Sequence, residues 1–145
     1  MKMLARVLPL IVLLSTTTCR VADAKELHIH MLSGSGEYKS AQSLPKWAAL
    51  LEKEGHLCTI GSGVQEEEDI ANLKKCDLLV VFCKRWKLDE TALGHVKAAA
   101  TTKPIIGIRT ASHAFQTWLA FENEVMGGTY SGHGATGEVT VILQE

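Results

Sequence analysis

The stretch DLLVVFC, residues 77–83, decides the fold. Six apolar side chains follow one aspartate without alternation. A half-exposed strand alternates apolar and polar residues. A short unbroken apolar run fits a strand covered on both faces, as at the centre of a parallel sheet. PIIGI, residues 104–108, has the same character. Between the two, Asp89 stands where a helix wants its N-cap, and Ala92, Val96 and Ala99 recur on one helical face. Strand, helix and strand make a βαβ unit.

The pattern extends both ways. Upstream, residues 26–32 read as a first strand, followed by a polar loop at 33–40. Residues 41–54 read as a helix: Leu44, Trp47, Ala48 and Leu51 share a face, Pro45 suits the first turn, and Gly55 suits the stop. A short strand is expected at 57–60. A helix is expected at 66–73, with acids at its start and lysines at its end, as the helix dipole prefers. Downstream, a short helix is expected at 113–122, a glycine-rich loop at 126–137 and a last strand at 138–143. The order βαβαβαβαβ defines an α/β protein with a doubly wound, mainly parallel sheet. Ligands of such sheets bind beyond the carboxyl ends of the strands, which singles out the loops 33–40, 84–87 and 109–113.

The chain has 145 residues, 46% of them hydrophobic, with 15 basic against 16 acidic side chains. That is one domain's worth of chain, neither disordered nor repetitive. Its near-neutral balance argues against a protein that holds nucleic acid by neutralising phosphates. Residues 1–24 have the pattern of a secretory signal: Lys2 and Arg6, an apolar run at 7–14, and Ala22-Asp23-Ala24 as a cleavage site. Cys19 offers a rival reading as a lipid-modified N-terminus. The apolar run is too short to span a bilayer, and no second span follows. The expectation is therefore a secreted or periplasmic domain over residues 25–145. Cys58, Cys76 and Cys83 lack metal-type spacing; Cys58 and Cys83 sit in apolar strand-like runs and read as buried thiols more readily than as a disulfide framework, though an oxidising compartment would allow one bridge.

The loop after the fourth strand carries the most chemistry. In α/β folds a nucleophile can stand on a tight strand-to-helix elbow. Here Gly107-Ile108-Arg109-Thr110-Ala111 places Arg109 there. A guanidinium is no nucleophile, but its fork of donors suits a carboxylate, phosphate or polyol. The plainer alternative is a pair with Glu37. Thr110 is a nearby hydroxyl for ligand or backbone. His113, at the expected start of a helix, suits a general base or a metal ligand. His133, in the glycine loop, could join His113 as half of a zinc-type site. Glu37 could move protons, and Tyr38 could stack on a sugar. Trp86, among Lys84, Arg85 and Lys87, could line a sugar site or cover the sheet edge. His28 and His30 share a strand face; such pairs can hold zinc but are more often half-buried partners. Ser33-Gly34-Ser35-Gly36 lacks the ending of a phosphate loop.

Four blocks carry a resemblance: SGSGEYKSAQSLP (33–45), DLLVVF (77–82), PIIGIRTASHAF (104–115) and GGTYSGHG (127–134). In this order they resemble the ThuA-like, trehalose-utilisation family of the class I glutamine amidotransferase-like superfamily. The resemblance implies a flavodoxin-like sheet without the amidotransferase cysteine, and a role in carbohydrate use around disaccharides and their keto derivatives. Some relatives look able to bind a divalent metal, which would involve His113 and His133. Family members usually continue with further strands and a late Gly-His element, so a domain truncated at its C-terminus is expected. Three functions follow: an exported enzyme acting on a sugar, a non-catalytic sugar-binding or interaction module, or a metal-dependent hydrolase.

Overall fold

The computed structural model describes residues 25–132 together with Gly134 and Gly137. The signal segment expected at 1–24, His133 and the strand expected at 138–143 lie outside the described residues. Within them the fold is α/β, with a four-stranded, all-parallel sheet: β1 (His28–Gly34), β2 (Leu57–Gly61), β3 (Leu78–Cys83) and β4 (Ile105–Gly107), in the order β2-β1-β3-β4. The connecting helices are α1 (Ser40–Lys53), α2 (Glu67–Lys75) and α3 (Glu90–Thr102).

The sheet is covered on both faces, as the run at 77–83 requires. Ile29, Met31, Val80 and Phe82 pack on one side against Leu44 and Ala48 of α1, with Trp47 and Leu51 at the margin. Leu32, Leu79 and Val81 pack on the other side with Leu73 of α2 and with Ala92, Val96 and Ala99 of α3. Leu79, Val80 and Val81 are fully buried. Each such aliphatic side chain contributes about 1.5–3 kcal/mol over its exposed state. One helix on one face and two on the other is the placement that right-handed crossovers demand when the chain leaves β1 in one direction and returns past it to β3.

Local signals behave as their chemistry dictates. Asp89 caps α3, its carboxylate accepting from the Ala92 N–H at 2.8 Å. α2 opens on Glu67, Glu68 and Asp69 and closes on Lys74 and Lys75. Gly55 adopts φ 89. Its N–H donates to Glu52 and the His56 N–H donates to Leu51, both at 3.1 Å, which closes α1 with a glycine-dependent cap. Pro45 lies one residue deeper in α1 than expected, because the helix starts at Ser40.

Two expectations are corrected. β1 runs on through Ser33 and Gly34, which pair with Phe82 and Cys83 of β3. Gly34 is required there, since a Cβ would fall inside the Trp86 ring. Residues 113–122 do not form a helix. Arg109–His113 is a 3₁₀ turn, and a short α4 (Phe121–Glu124) follows after turns. The backbone between them is already committed: the Trp86 N–H donates to Ala114 and the Gln116 N–H to Trp86, both at 2.7 Å. Phe115, Trp118 and Phe121 then pack as an aromatic cluster, with ring centroids 5.0–6.3 Å apart.

Cys58, Cys76 and Cys83 are free thiols, the last two buried. Among the described residues no helix is long and apolar enough to cross a membrane. His28 and His30 both reach the Thr59 hydroxyl, at 3.1 and 2.9 Å. His30 is fully buried, and its Nε2 has no partner. Burial, then the neighbouring His28, pulls its pKa down to about 4. Unfolded, the same ring titrates near 6.5, so the unfolded chain takes up the proton first. Stability should therefore be intact above pH 6.5 and fall by about 3 kcal/mol towards pH 4. Denaturant titrations across this range check it: the His30→Leu variant should lose most of this acid limb, and an unaltered limb would assign the acid sensitivity elsewhere.

Candidate functional site

Three loops leave the carboxyl ends of β1, β3 and β4 and meet at a cleft of about 650 Å³. The chain leaves β1 and β3 towards opposite faces, so the cleft lies at the switch point where such sheets bind ligands. Each loop holds one non-glycine residue in the left-handed region: Lys39 at φ 54, Arg85 at φ 53 and Arg109 at φ 48. That conformation costs roughly 1–2 kcal/mol per residue, so the surrounding structure has to impose it.

A buried chain of hydroxyls does so. The Ser40 Oγ accepts from the Ser35 N–H at 2.9 Å and from the Ser33 hydroxyl at 3.0 Å. The Thr110 hydroxyl donates to the Cys83 carbonyl at 2.7 Å and lies 3.3 Å from the Ser35 hydroxyl. The ends of β1, α1 and β3 are thereby tied to the loop after β4. Thr110 borders the cleft, but its hydroxyl proton is committed to backbone.

The Ile108 N–H still donates to Val81 at 2.9 Å, extending β4 by one residue before Arg109 turns the chain into the 3₁₀ segment. This is the strained strand-to-helix elbow anticipated from sequence, with a guanidinium where a nucleophile would stand. Arg109 does not pair with Glu37. Its Cζ lies 4.1 Å from the centre of the Tyr38 ring, a cation–π contact. Glu37 instead forms an ion pair with Lys84.

The Arg85 N–H donates to the His113 carbonyl at 3.0 Å, which sets the two residues side by side. The His113 ring lies 4.8 Å from the Tyr130 ring, and its Nδ1 is 3.2 Å from the Ser112 hydroxyl. Tyr130 is positioned by its N–H, which donates to a Glu122 carboxylate oxygen at 3.1 Å. His113 closes the 3₁₀ turn and does not open a helix. Its pKa is nevertheless lowered, by burial first and then by Arg85 and Lys84, against an opposing contribution from Glu122.

Of the residues singled out from sequence, Glu37, Tyr38, Arg109, Thr110 and His113 converge on the cleft. Trp86 does not line it. It packs edge-on against Phe115 with centroids 6.4 Å apart and covers Gly34 at the end of the sheet. Tyr130 and the hydroxyl chain were not anticipated; an aromatic residue between glycines was the signal for the former. Among the described residues no group of three or more His, Cys, Asp or Glu side chains is placed to hold a metal ion. Two cations already bear on His113, and the proposed second ligand, His133, lies outside the described residues.

Fold and site thus define an α/β domain with a polar, cation-lined cleft at its topological switch point. Comparison with family models, with curated proteins and with solved structures finds no match.

Two measurements test the geometry. Ser40→Ala strands the buried Ser35 N–H and should destabilise the fold by about 2 kcal/mol in denaturant unfolding. Ser40→Ala as stable as the parent would mean that the hydroxyl chain holds nothing. Arg85→Gln removes a cation beside His113, so the ring's midpoint, followed by proton NMR, should rise. A fixed midpoint would remove Arg85 from the electrostatics of the site.

Proposed function

We propose that the cleft binds a carbohydrate and that His113 moves a proton on it, in an exported ThuA-like domain concerned with disaccharides or their keto derivatives. One observation carries the reading. An Arg109–Tyr38 cation–π pair and a tilted His113–Tyr130 ring pair stand around a single polar cleft at the switch point. Aromatic faces beside hydrogen-bonding groups match the alternating C–H faces and hydroxyl edges of a sugar. About 650 Å³ lies within the usual range for small-ligand sites. The likeness to the ThuA-like family supports the reading further, because two of the blocks that carry it, 33–45 and 104–115, supply Tyr38, Arg109 and His113.

The chemistry follows from the charges. Burial and the adjacent cations favour the neutral ring of His113, so it can accept a proton from a sugar hydroxyl or a water at neutral pH. Its activity as a base should fade only below pH 6.5. Glu37 contributes only by exchanging Lys84 for a ligand hydroxyl. Arg109 holds and polarises the ligand and forms no covalent bond to it.

A second reading is binding without turnover. The guanidinium at the elbow and the neutralised Glu37 favour it. Trehalose and its oxidised derivatives, incubated with the full chain and followed by mass spectrometry and calorimetry, separate the two. Under the enzymatic reading His113→Asn should cut product formation at least 100-fold while affinity changes only a few-fold. Product formed equally fast by His113→Asn would overturn the role of His113. Saturable binding with no product from the parent protein would establish the second reading.

A further inference from the structure

The cleft is far more cationic than the chain that forms it. Over the whole sequence acids slightly outnumber bases, giving a net charge of −1. At the cleft the basic side chains are Lys84, Arg85 and Arg109, against the one carboxylate of Glu37. Glu37 is taken by Lys84. Among the described residues neither Arg85 nor Arg109 forms an ion pair. The Arg109 guanidinium lies over the Tyr38 ring, its Cζ 4.1 Å from the ring centre. Glu122, the carboxylate that bears on His113, accepts from the Tyr130 backbone.

Both free guanidiniums are fixed on strained backbone, at φ 53 and φ 48. An exposed arginine needed only for solubility has no reason to occupy a conformation that costs free energy. Its backbone is held there when the position of the residue matters. Two donor forks beside one cleft, each without a carboxylate partner among the described residues, match an oxyanion better than a neutral hydroxyl, because hydrogen bonds between ionised partners are about twice as strong. The aromatic surface continues past the cations: Tyr130 lies tilted against His113, with ring centres 4.8 Å apart, and remains 42% exposed.

We propose that the ligand of this cleft is an anionic sugar, whose carboxylate or phosphate group is held by Arg85 and Arg109 while its ring lies against Tyr130. This rests on the carbohydrate reading above and narrows it from neutral disaccharides to sugars that carry an oxyanion. The adjacent His113 then faces the bound sugar ring, and the anion offsets the repulsion between the cations around it.

Calorimetric titration of the full chain with glucose, glucuronate, glucose 6-phosphate, acetate and inorganic phosphate tests the proposal. Glucuronate or glucose 6-phosphate should bind at least about tenfold more tightly than glucose, the value of one charge-assisted hydrogen bond. Whichever of the two binds more tightly identifies the anion as carboxylate or phosphate. The preference should shrink in 0.5 M salt, where the screening length is only a few ångströms. Arg85→Gln and Arg109→Gln should each reduce it about tenfold, with Arg109→Lys retaining part of it as a control that the fold is intact. Glucose binding as tightly as the charged sugars overturns the proposal and leaves the carbohydrate reading standing. Acetate or inorganic phosphate binding as tightly as the charged sugars shows that the sugar ring contributes nothing, and overturns both.

Discussion

Everything at the cleft depends on the parallel pairing of β1 with β3. In that ladder Met31 lies beside Val80 and Leu32 beside Val81, all fully buried. Helices on both faces leave the inner strands no exposure except at their ends. From the end of β1 the chain turns into α1 on one face; from the end of β3 it proceeds to α3 on the other. Two neighbouring strands whose continuations diverge leave a gap that no connection fills. The cleft is this gap, and its position follows from hydrophobic burial before any functional residue is considered.

The loops that border the gap carry the cost of shaping it. Lys39, Arg85 and Arg109 all sit in the left-handed region. Glycine would adopt it freely, yet each position holds a long cation. The buried hydroxyls of Ser33, Ser35, Ser40 and Thr110 lie directly behind these loops. Their hydrogen bonds run from loop to loop, so no loop can relax alone. A buried polar network is costly when incomplete and strongly specifying when complete. Here it converts the stability of the core into fixed positions for three exposed side chains.

The sequence was most informative where burial is strongest. The unbroken run at 77–83 led directly to a central parallel strand. The spacing of Ala92, Val96 and Ala99 gave a helix face that proves buried along its length. Legibility failed where tertiary contacts override local preference. Residues 113–122 have no feature that forbids a helix. They lack one because Trp86, far away in sequence, claims backbone hydrogen bonds of that segment. The same contact explains Trp86 itself: its neighbours Lys84 and Arg85 reach the cleft, but its ring is the cover for Gly34 and Phe115. Glu37, Tyr38, Arg109, Thr110 and His113 were legible because a doubly wound sheet sends every such loop to one edge. Their partners were not. The choice of Lys84 by Glu37 and of Tyr38 by Arg109 is made across the gap, between loops 47 and 71 residues apart in the chain.

The elbow at Arg109 shows how one scaffold can keep a geometry while changing its chemistry. A strained strand-to-helix turn exposes whichever side chain it carries at the mouth of the switch point. A nucleophile there would attack the ligand. A guanidinium can only bind and polarise, and here it sits against the Tyr38 ring. Under the proposed function, proton transfer then falls to His113, the imidazole at the end of the same turn. Arg85, one of the two cations that would hold an oxyanion, also favours the neutral form of this ring. Ligand charge and proton-accepting capacity are therefore coupled through Arg85. An anion bound to it would relieve the repulsion and make His113 more basic at the moment the ligand arrives.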